Sequence, residues 1–242
     1  ENFIKRLNIF KYNKEKNGRD KYTENSIIKF DNVSFKYPDT RKNIILNLNL
    51  EIKPKKSYAL IGQSGAGKTT IVDLIVGLIR PIKGNIYYGK INHKNLDFNS
   101  LRQKVSYISQ NISLFDGTIK ENILMGQKKS LSEIVKASKS SLAYDFIKKM
   151  PKQFNTKLGE NGLKISGGQK QRILLTRALI SDSSIIILDE ATNQLDTFTS
   201  GYIKKSIDKL KKIKTIIIIS HDKNIEKKVD KTFKIKKKII KF

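Results

Sequence analysis

The chain has no cysteine among its 242 residues, which excludes disulfide bonds and metal sites built from thiolates. It has no apolar run close to the roughly 18–20 residues that a membrane-spanning helix needs. No signal peptide is recognisable, and the sequence begins at Glu1 rather than at a methionine. These absences fit a cytosolic domain cut from a longer protein, and a chain of this length can form one large domain or two lobes.

Acidic residues and arginine are both scarce relative to lysine. The chain has 49 Lys and Arg residues against 22 Asp and Glu residues, a formal net charge of +27, yet only 7 of the 49 are Arg. A surface with this charge could bind nucleic acid or an anionic membrane. Arginine would be expected where phosphates are recognised through paired hydrogen bonds. We therefore interpret the charge as a bias towards lysine over the whole chain, and we expect no specific nucleic-acid partner.

What the chain does contain is a glycine-rich loop between two apolar segments. Residues 62–69 read GQSGAGKT and fit the pattern G-x-x-x-x-G-K-[ST] of a phosphate-binding P-loop. The strand-like run YALI at 58–61 precedes the loop, and the helix-like run TIVDLIVGLI at 70–79 follows it. Loop amides and the positive end of a helix form an anion site, in which the lysine would reach the β- and γ-phosphates and the next threonine would ligate Mg²⁺. The expected phosphate-binding residues are Gly62, Gln63, Ser64, Gly65, Ala66, Gly67, Lys68, Thr69 and Thr70.

The remaining pattern predicts an α/β fold with a mainly parallel sheet. The continuous apolar runs SIIILD at 184–189 and TIIIIS at 215–220 are typical of strands buried on both faces, with a crossover helix at 197–211 between them. Alternating stretches at 26–37 and 44–52 indicate an N-terminal antiparallel subdomain. Further strands are expected at 84–88 and 105–109, and helices at 130–139, 141–150 and 169–180, most of them in an inserted helical subdomain at about 111–180.

Two acidic residues, Asp189 and Glu190, end the first of these apolar runs. Successive side chains on a strand point to opposite sides, so the two carboxylates would face different targets. Beside a P-loop, Asp189 would hold Mg²⁺ through its water shell, and Glu190 would orient and deprotonate the attacking water. The chain is therefore predicted to bind ATP with Mg²⁺ and to hydrolyse it.

A second helix start carries the most specific motif in the chain. Residues 165–169 read ISGGQ where the helix-like run QKQRILLTRALI begins, so a serine hydroxyl and glycine amides would form another anion site. Together with the P-loop and the Asp-Glu pair, this motif resembles the nucleotide-binding domain of ATP-binding cassette (ABC) transporters over about residues 26–242. It has isoleucine where leucine is more usual in that family. The resemblance assigns Ser166, Gly167, Gly168 and Gln169 to a site that binds the γ-phosphate held by the P-loop of another subunit.

The resemblance also implies roles for single residues elsewhere. Tyr37, in the sequence FKYP, matches the aromatic residue that stacks on adenine. Gln110 matches a glutamine expected near Mg²⁺, His221 a histidine that contacts the γ-phosphate, and Asp196 an aspartate that also belongs to the nucleotide site. His93 lies in a polar stretch and is assigned no role. The catalytic set is then Lys68, Gln110, Glu190 and His221, and the metal-binding set is Thr69, Gln110 and Asp189.

Two segments favour an exporter within this family. Residues 114–123 (LFDGTIKENI) resemble the exporter sequence that follows the glutamine, and residues 159–162 (GENG) resemble the exporter segment that touches the coupling helices of the membrane domain. Residues 1–25 resemble a linker from an upstream transmembrane domain. The resemblance implies a head-to-tail dimer around two ATP molecules, either a homodimer or a pseudo-dimer with another ABC domain, at the cytoplasmic face of a membrane.

Two other interpretations stay open. The charge favours a soluble ABC ATPase that acts on nucleic acid. Against that, Lys68 and Ser166 are only 98 residues apart, which leaves no room for the long coiled coils of the chromosome-maintenance members, and the chain has one cassette where ribosome-acting members have two. An ATPase subunit of an importer is the other interpretation. The transported substrate is not encoded in this part of the protein.

Overall fold

The N-terminal part of the chain forms an antiparallel sheet. The computed structural model describes residues 18–38, 40, 42–108, 114–189, 208 and 210–235. Within them, β2 (Ile28–Phe35) pairs with β3 (Ile45–Ile52) on one side and with β5 (Lys83–Tyr88) on the other, and β6 (Ile91–Asn92) adds an edge strand. One face of this sheet is buried, because its strands place Ile, Phe, Leu and Val on that face.

The central sheet is parallel, as predicted. Its strands are β4 (Ser57–Ile61), β8 (Val105–Ile108), β9 (Ile185–Asp189), β10 (Thr215–Ser220) and β11 (Lys231–Lys234). Their order is β11-β4-β10-β9-β8, and every neighbouring pair runs in the same direction. The carboxyl ends of these strands therefore share one edge, which is where parallel α/β sheets bind ligands. A separate short pair joins β1 (Asp20–Lys21) to β7 (Leu96–Asp97).

Six α-helices are described, and three of them begin with the same hydrogen-bonded cap. Thr118, Ser130 and Ser166 each bond to the backbone three residues on, and the Glu or Gln there bonds back to the cap. No described helix combines the length and the apolar character required to cross a membrane. The helices are α1 (Lys68–Ile75), α2 (Phe98–Arg102), α3 (Ile119–Leu124), α4 (Leu131–Ser140), α5 (Tyr144–Lys148) and α6 (Gly167–Ile180), with 3-10 turns at Gln153–Asn155, Glu160–Gly162 and Lys223–Lys228.

The parallel sheet separates two apolar cores. On β10, Ile216 and Ile218 face the core that contains α3, α4 and α6, whereas Ile217 and Ile219 face the core that contains α1 and the antiparallel sheet. Strands β4 and β9 alternate in the same way. The continuous apolar runs in the sequence are thus explained by burial of both faces of the sheet.

Two predicted helices were wrong in their bounds. The helix after the P-loop begins at Lys68 and ends at Ile75, not at 70–79, since Gly77 has a φ of +71° and lies so close to Phe98 that a Cβ there would be 1.9 Å from the ring. The expected helix at 141–150 is shorter, because Leu142 adopts a φ of +59° after α4 and the chain becomes helical again only at Tyr144. The predicted strands agree to within two residues where they are described. Apart from residues 208, 210 and 211, the expected crossover helix lies outside the described residues.

Candidate functional site

The P-loop passes from β4 into α1 through a turn that depends on glycine. Gly65 and Gly67 have φ values of +75° and +95°, which residues with a Cβ rarely adopt. A Cβ on Gly67 would lie 3.0 Å from the side chains of Ile44 and Ile45, so the loop packs closely on the start of β3. Among the described residues, no side chain caps the start of α1. Its first amides are therefore available to an anion.

Lys68 is the first residue of α1, and its side chain is buried against the P-loop. It is only 5% exposed, and its Nζ donates hydrogen bonds to the carbonyl oxygens of Gly62 and Gln63 at 2.8 and 3.0 Å. These two bonds hold the ammonium group inside the P-loop, which the first amides of α1 also face. An ammonium has three donors, so one remains for a phosphate oxygen after these two described bonds.

Tyr37 lies beside the first turn of α1. Its hydroxyl and the Thr70 hydroxyl share a hydrogen bond of 3.1 Å, and its ring stands edge-on to that of Phe35, with centroids 5.0 Å apart. The ring is half-buried. The structure thus brings the predicted adenine-stacking residue next to the P-loop, 33 residues away in sequence.

Asp189 and His221 lie at the same edge of the parallel sheet as the P-loop. Strand β10 separates β4 from β9, with Ile219 opposite Asp189 and Ser220 opposite Ile61. Tyr107 donates a hydrogen bond of 2.6 Å to the Asp189 carboxylate and orients it. His221 directly follows β10 and is exposed.

The start of α6 differs from the start of α1, because its own side chains cap it. The Ser166 hydroxyl accepts a hydrogen bond from the Gln169 amide at 3.3 Å, and the Gln169 side chain accepts one from the Ser166 amide at 3.0 Å. Ser166 and Gly167 are exposed, and a Cβ on Gly168 would meet no atom within 4 Å. The helix begins two residues before the predicted start, so both glycines lie in its first turn.

Three predicted site residues, Gln110, Glu190 and Asp196, lie outside the described residues, so their positions remain predictions. His93 lies in the turn after β6, as the polar sequence predicted, but its side chain is buried. His93 is 4% exposed, and its Nδ1 accepts a hydrogen bond from the Ile86 amide at 3.2 Å. Burial lowers the pKa of this imidazole to about 4, with the nearby cations Arg80 and Lys94 as smaller causes, so it is neutral and structural.

The sequence reasoning missed one buried polar residue, Asn122. Its side-chain amide bonds to the backbone of Phe115 at 3.1 and 3.0 Å and to the Thr118 carbonyl at 3.1 Å. Arg177 of α6 donates to the Asn122 carbonyl at 2.7 Å. The sequence does contain an indication of this, because the asparagine lies on the apolar side of the helical segment IKENIL. Asn122 therefore joins α6 to the loop before α3.

The two segments that resemble exporter sequences lie side by side. Thr118 and Lys157 form an antiparallel bridge, and the Leu158 amide donates to the Gly117 carbonyl at 2.9 Å. Next to this junction, Phe115 is 42% exposed and Leu163 is 80% exposed. Two parts of the chain about 40 residues apart thus meet, and each has an exposed apolar side chain close to the junction in sequence.

Comparison with known proteins supports the same interpretation. The family model described as ABC transporter matches residues 45–193. The chain is 43% identical over 218 residues to an ATP-dependent lipid A-core flippase of Wigglesworthia glossinidia brevipalpis, covering 89% of this chain and 38% of that protein. It is 38% identical over 215 residues to P-glycoprotein 14 of Caenorhabditis elegans, covering 88% of this chain and 16% of that protein.

A solved structure has the same fold. It is described as the structure of a bacterial Atm1-family ABC exporter with ATP bound. It superimposes on this chain with a TM-score of 0.81 at 32% identity, over 91% of this chain and 38% of the other. The chain thus spans well under half the length of these relatives. The predicted α/β fold with an antiparallel and a helical subdomain is confirmed.

Proposed function

The chain belongs to the ABC transporter family, and we propose that it is the ATP-binding and ATP-hydrolysing domain of an exporter. In this proposal two such domains close head-to-tail around two ATP molecules at the cytoplasmic face of a membrane, and hydrolysis reopens them. The observation that carries the proposal is the edge of the parallel sheet, where an uncapped helix start with Lys68 lies near Asp189 and His221. The likeness to exporters of known sequence and structure supports it.

The P-loop would bind the phosphates of ATP through backbone amides and Lys68. The exposed residues 63–65 leave the loop open to the ligand, and the buried lysine supplies a cation inside it. Tyr37 would stack on the adenine ring, because it lies against the first turn of α1. Both ends of the nucleotide would then be recognised on one side of the parallel sheet.

The oxygen atoms near the P-loop suit Mg²⁺, which prefers carboxylate, hydroxyl and carbonyl ligands. Thr69 directly follows Lys68, and the Asp189 carboxylate is held in a fixed orientation by Tyr107. Thr69 and Asp189, together with Gln110, would hold the ion. When bound, Mg²⁺ would neutralise part of the phosphate charge.

Glu190 would act as the general base. It follows Asp189 at the end of β9, so its side chain would point away from that of Asp189 and towards the attacking water. His221, at the exposed end of the neighbouring strand β10, would contact the γ-phosphate. Asp196 would complete the site, in the segment after Glu190.

The start of α6 would bind the γ-phosphate held by another subunit. Ser166, Gly167 and Gly168 lie in the open at a helix start, where backbone amides and the helix dipole attract anions. The partner would be a second copy of this chain or another ABC domain. The surface around Phe115 and Leu163 would contact the membrane domain, since exposed apolar side chains mark interaction surfaces.

The change Glu190→Gln tests the chemistry and the dimer together. It keeps the size of the side chain but removes the group that accepts a proton, so hydrolysis should fall by about 10²–10⁴-fold. Phosphate binding should survive because Lys68, Thr69 and the loop amides are unchanged. The variant should therefore accumulate as an ATP-bound dimer in sizing chromatography with Mg-ATP, whereas the parent chain should be mostly monomeric.

Two further variants control this experiment. Adding Ser166→Arg should abolish the dimer, because a bulky cation at the helix start would block the phosphate of the partner. The matched change Glu51→Gln, on an exposed residue of β3, should leave hydrolysis unchanged. Normal hydrolysis by Glu190→Gln would show that the base is misassigned, and a monomer at high concentration would refute the two-site dimer of this chain.

A further inference from the structure

One buried lysine lies at the opposite edge of the parallel sheet from the P-loop. Lys214 directly precedes β10 and is 7% exposed. Its Nζ donates to the carbonyl oxygens of Ser181 and Ser183 at 2.6 and 2.8 Å and lies 3.4 Å from the Ser183 hydroxyl. Three oxygen atoms thus match the three N–H donors of one ammonium group.

These acceptors belong to the end of α6 and to the connection that follows it. Ser181 is the C-cap residue directly after α6, and its carbonyl has no partner within the helix. A cation there also interacts favourably with the negative end of the helix dipole. Lys214 therefore ties the end of α6, whose other end carries Ser166, to the beginning of β10, whose other end carries His221.

Helix α6 packs on the parallel sheet through its apolar face, which shares a buried core with residues of β4, β9 and β10. It also packs on α3 and α4 of the same helical subdomain and contacts β8. Lys214 adds polar bonds just beyond the end of α6 that lies away from Ser166. In a head-to-tail dimer, each chain presents its P-loop to one ATP and Ser166 to the other. The distance between the P-loop and Ser166 within one chain must therefore fit both ATP sites of the dimer, so a shift of α6 would affect both sites.

We propose that Lys214 is a positioning residue, which fixes the end of α6 to the parallel sheet and thereby places Ser166 for binding to the partner. This inference rests on the proposed function, because Ser166 needs an exact position only if a partner docks on it. It goes beyond that function in assigning a role to a residue far from both ATP molecules.

The surroundings of Lys214 make its role sensitive to pH. Burial lowers the pKa of its ammonium group to about 8, and the charged groups that act on it are Asp182, Lys129 and Glu24. Above this pH the neutral amine has only two donors for three acceptors. An arginine at this position would stay charged throughout.

The test uses the 242-residue chain with Glu190→Gln, in which the ATP-bound dimer is expected to persist. Lys214→Met should weaken ATP-dependent dimerisation by at most about 10–100-fold, the limit reached if the full contribution of one hydrogen bond to a charged group goes into placing Ser166. Lys214→Arg should retain most of the dimerisation. As a matched control, Lys129→Met removes a cation whose bond in the described part of the chain is to the exposed side chain of Asp182, at 2.6 Å, and should have little effect.

Two readouts separate positioning from general damage to the fold. Affinity for an ATP analogue is measured with Ser166→Arg added, so that only the P-loop binds, and Lys214→Met should leave it unchanged. Between pH 7.5 and 9.5, dimerisation should weaken in the Glu190→Gln chain and stay level when Lys214→Arg is added. Dimerisation that Lys214→Met leaves unchanged would overturn this inference alone, and so would a loss of ATP affinity as large as the loss of dimerisation. If the Glu190→Gln chain itself does not dimerise with Mg-ATP, the proposed dimer of this chain and this inference both fail.

Discussion

The two helices that begin at proposed phosphate sites are packed in opposite ways. In α1, every residue except Thr69 is buried, and the helix lies in the apolar core between the two sheets. In α6, only five of fourteen residues are buried. Its apolar residues face one core, and directional polar bonds hold the helix as well: Arg177 to Asn122 at 2.7 Å, Thr176 to Ser141 at 2.6 Å, and Lys214 to the Ser181 carbonyl just after the helix.

This difference shows how one chain can bind the same kind of ligand with two kinds of site. A helix seated in apolar contacts on all sides cannot shift without opening cavities, so the P-loop has one arrangement. A helix with only one buried apolar face depends in addition on its polar bonds for its position. The starts of the two helices differ as well. No described side chain caps the first amides of α1, whereas α6 starts with a capping box that its own side chains form.

The largest expected effect concerns the pH dependence of stability on the α1 side of the molecule, where the buried side chain of His93 is neutral. The pKa of His93 is about 4 when folded and about 6.5 when unfolded, so the unfolded chain takes up the proton first as pH falls. The stability that His93 contributes is therefore complete above pH 6.5 and should be lost towards pH 4. The loss should reach about 3 kcal/mol in urea unfolding at several pH values. His93→Gln should remove this part of the pH dependence, and an unchanged pH profile in that variant would contradict the prediction.

The next effect concerns the residue beside the start of α1. Tyr37→Ala should weaken ATP binding about five- to a hundredfold, since stacking of an aromatic ring on a base contributes about 1–3 kcal/mol. Tyr37→Phe should change little, although it removes the hydrogen bond to Thr70. Titration of each variant with ATP measures this, and unchanged affinity in the alanine variant would place the adenine elsewhere.

The smallest expected effect tests whether the capping box at the start of α6 contributes to dimerisation or only to the stability of its helix. Gln169→Ala and Glu133→Ala each break one capping box, at α6 and at α4. Each should cost about 0.5–1 kcal/mol of stability and lower the melting temperature by a few degrees. Only Gln169→Ala should also change ATP-dependent dimerisation of the chain with Glu190→Gln. Equal dimerisation in both variants would mean that the box at α6 is purely structural.

Local patterns in the sequence were enough for much of the fold. The buried strands of the parallel sheet, the P-loop and the motif at Ser166 depend on residues that are adjacent in the chain, and all three were predicted. The ends of α1 and α5 were not, because contacts with distant residues decide them, such as that between Gly77 and Phe98. The burial of His93 was not predicted either, since it depends on a contact with Ile86 in β5.

By itself, the sequence determined which chemistry the chain carries, because glycine, lysine, serine and the acidic pair act at short, fixed spacings. Only the tertiary structure decided how these parts are held relative to one another. It placed Tyr37 beside Thr70, joined α6 to the loop of Phe115 through Asn122, and tied Lys214 to the end of α6. Such contacts join residues about 30 or more positions apart, and a single sequence does not show which distant polar groups will meet once the apolar cores have formed.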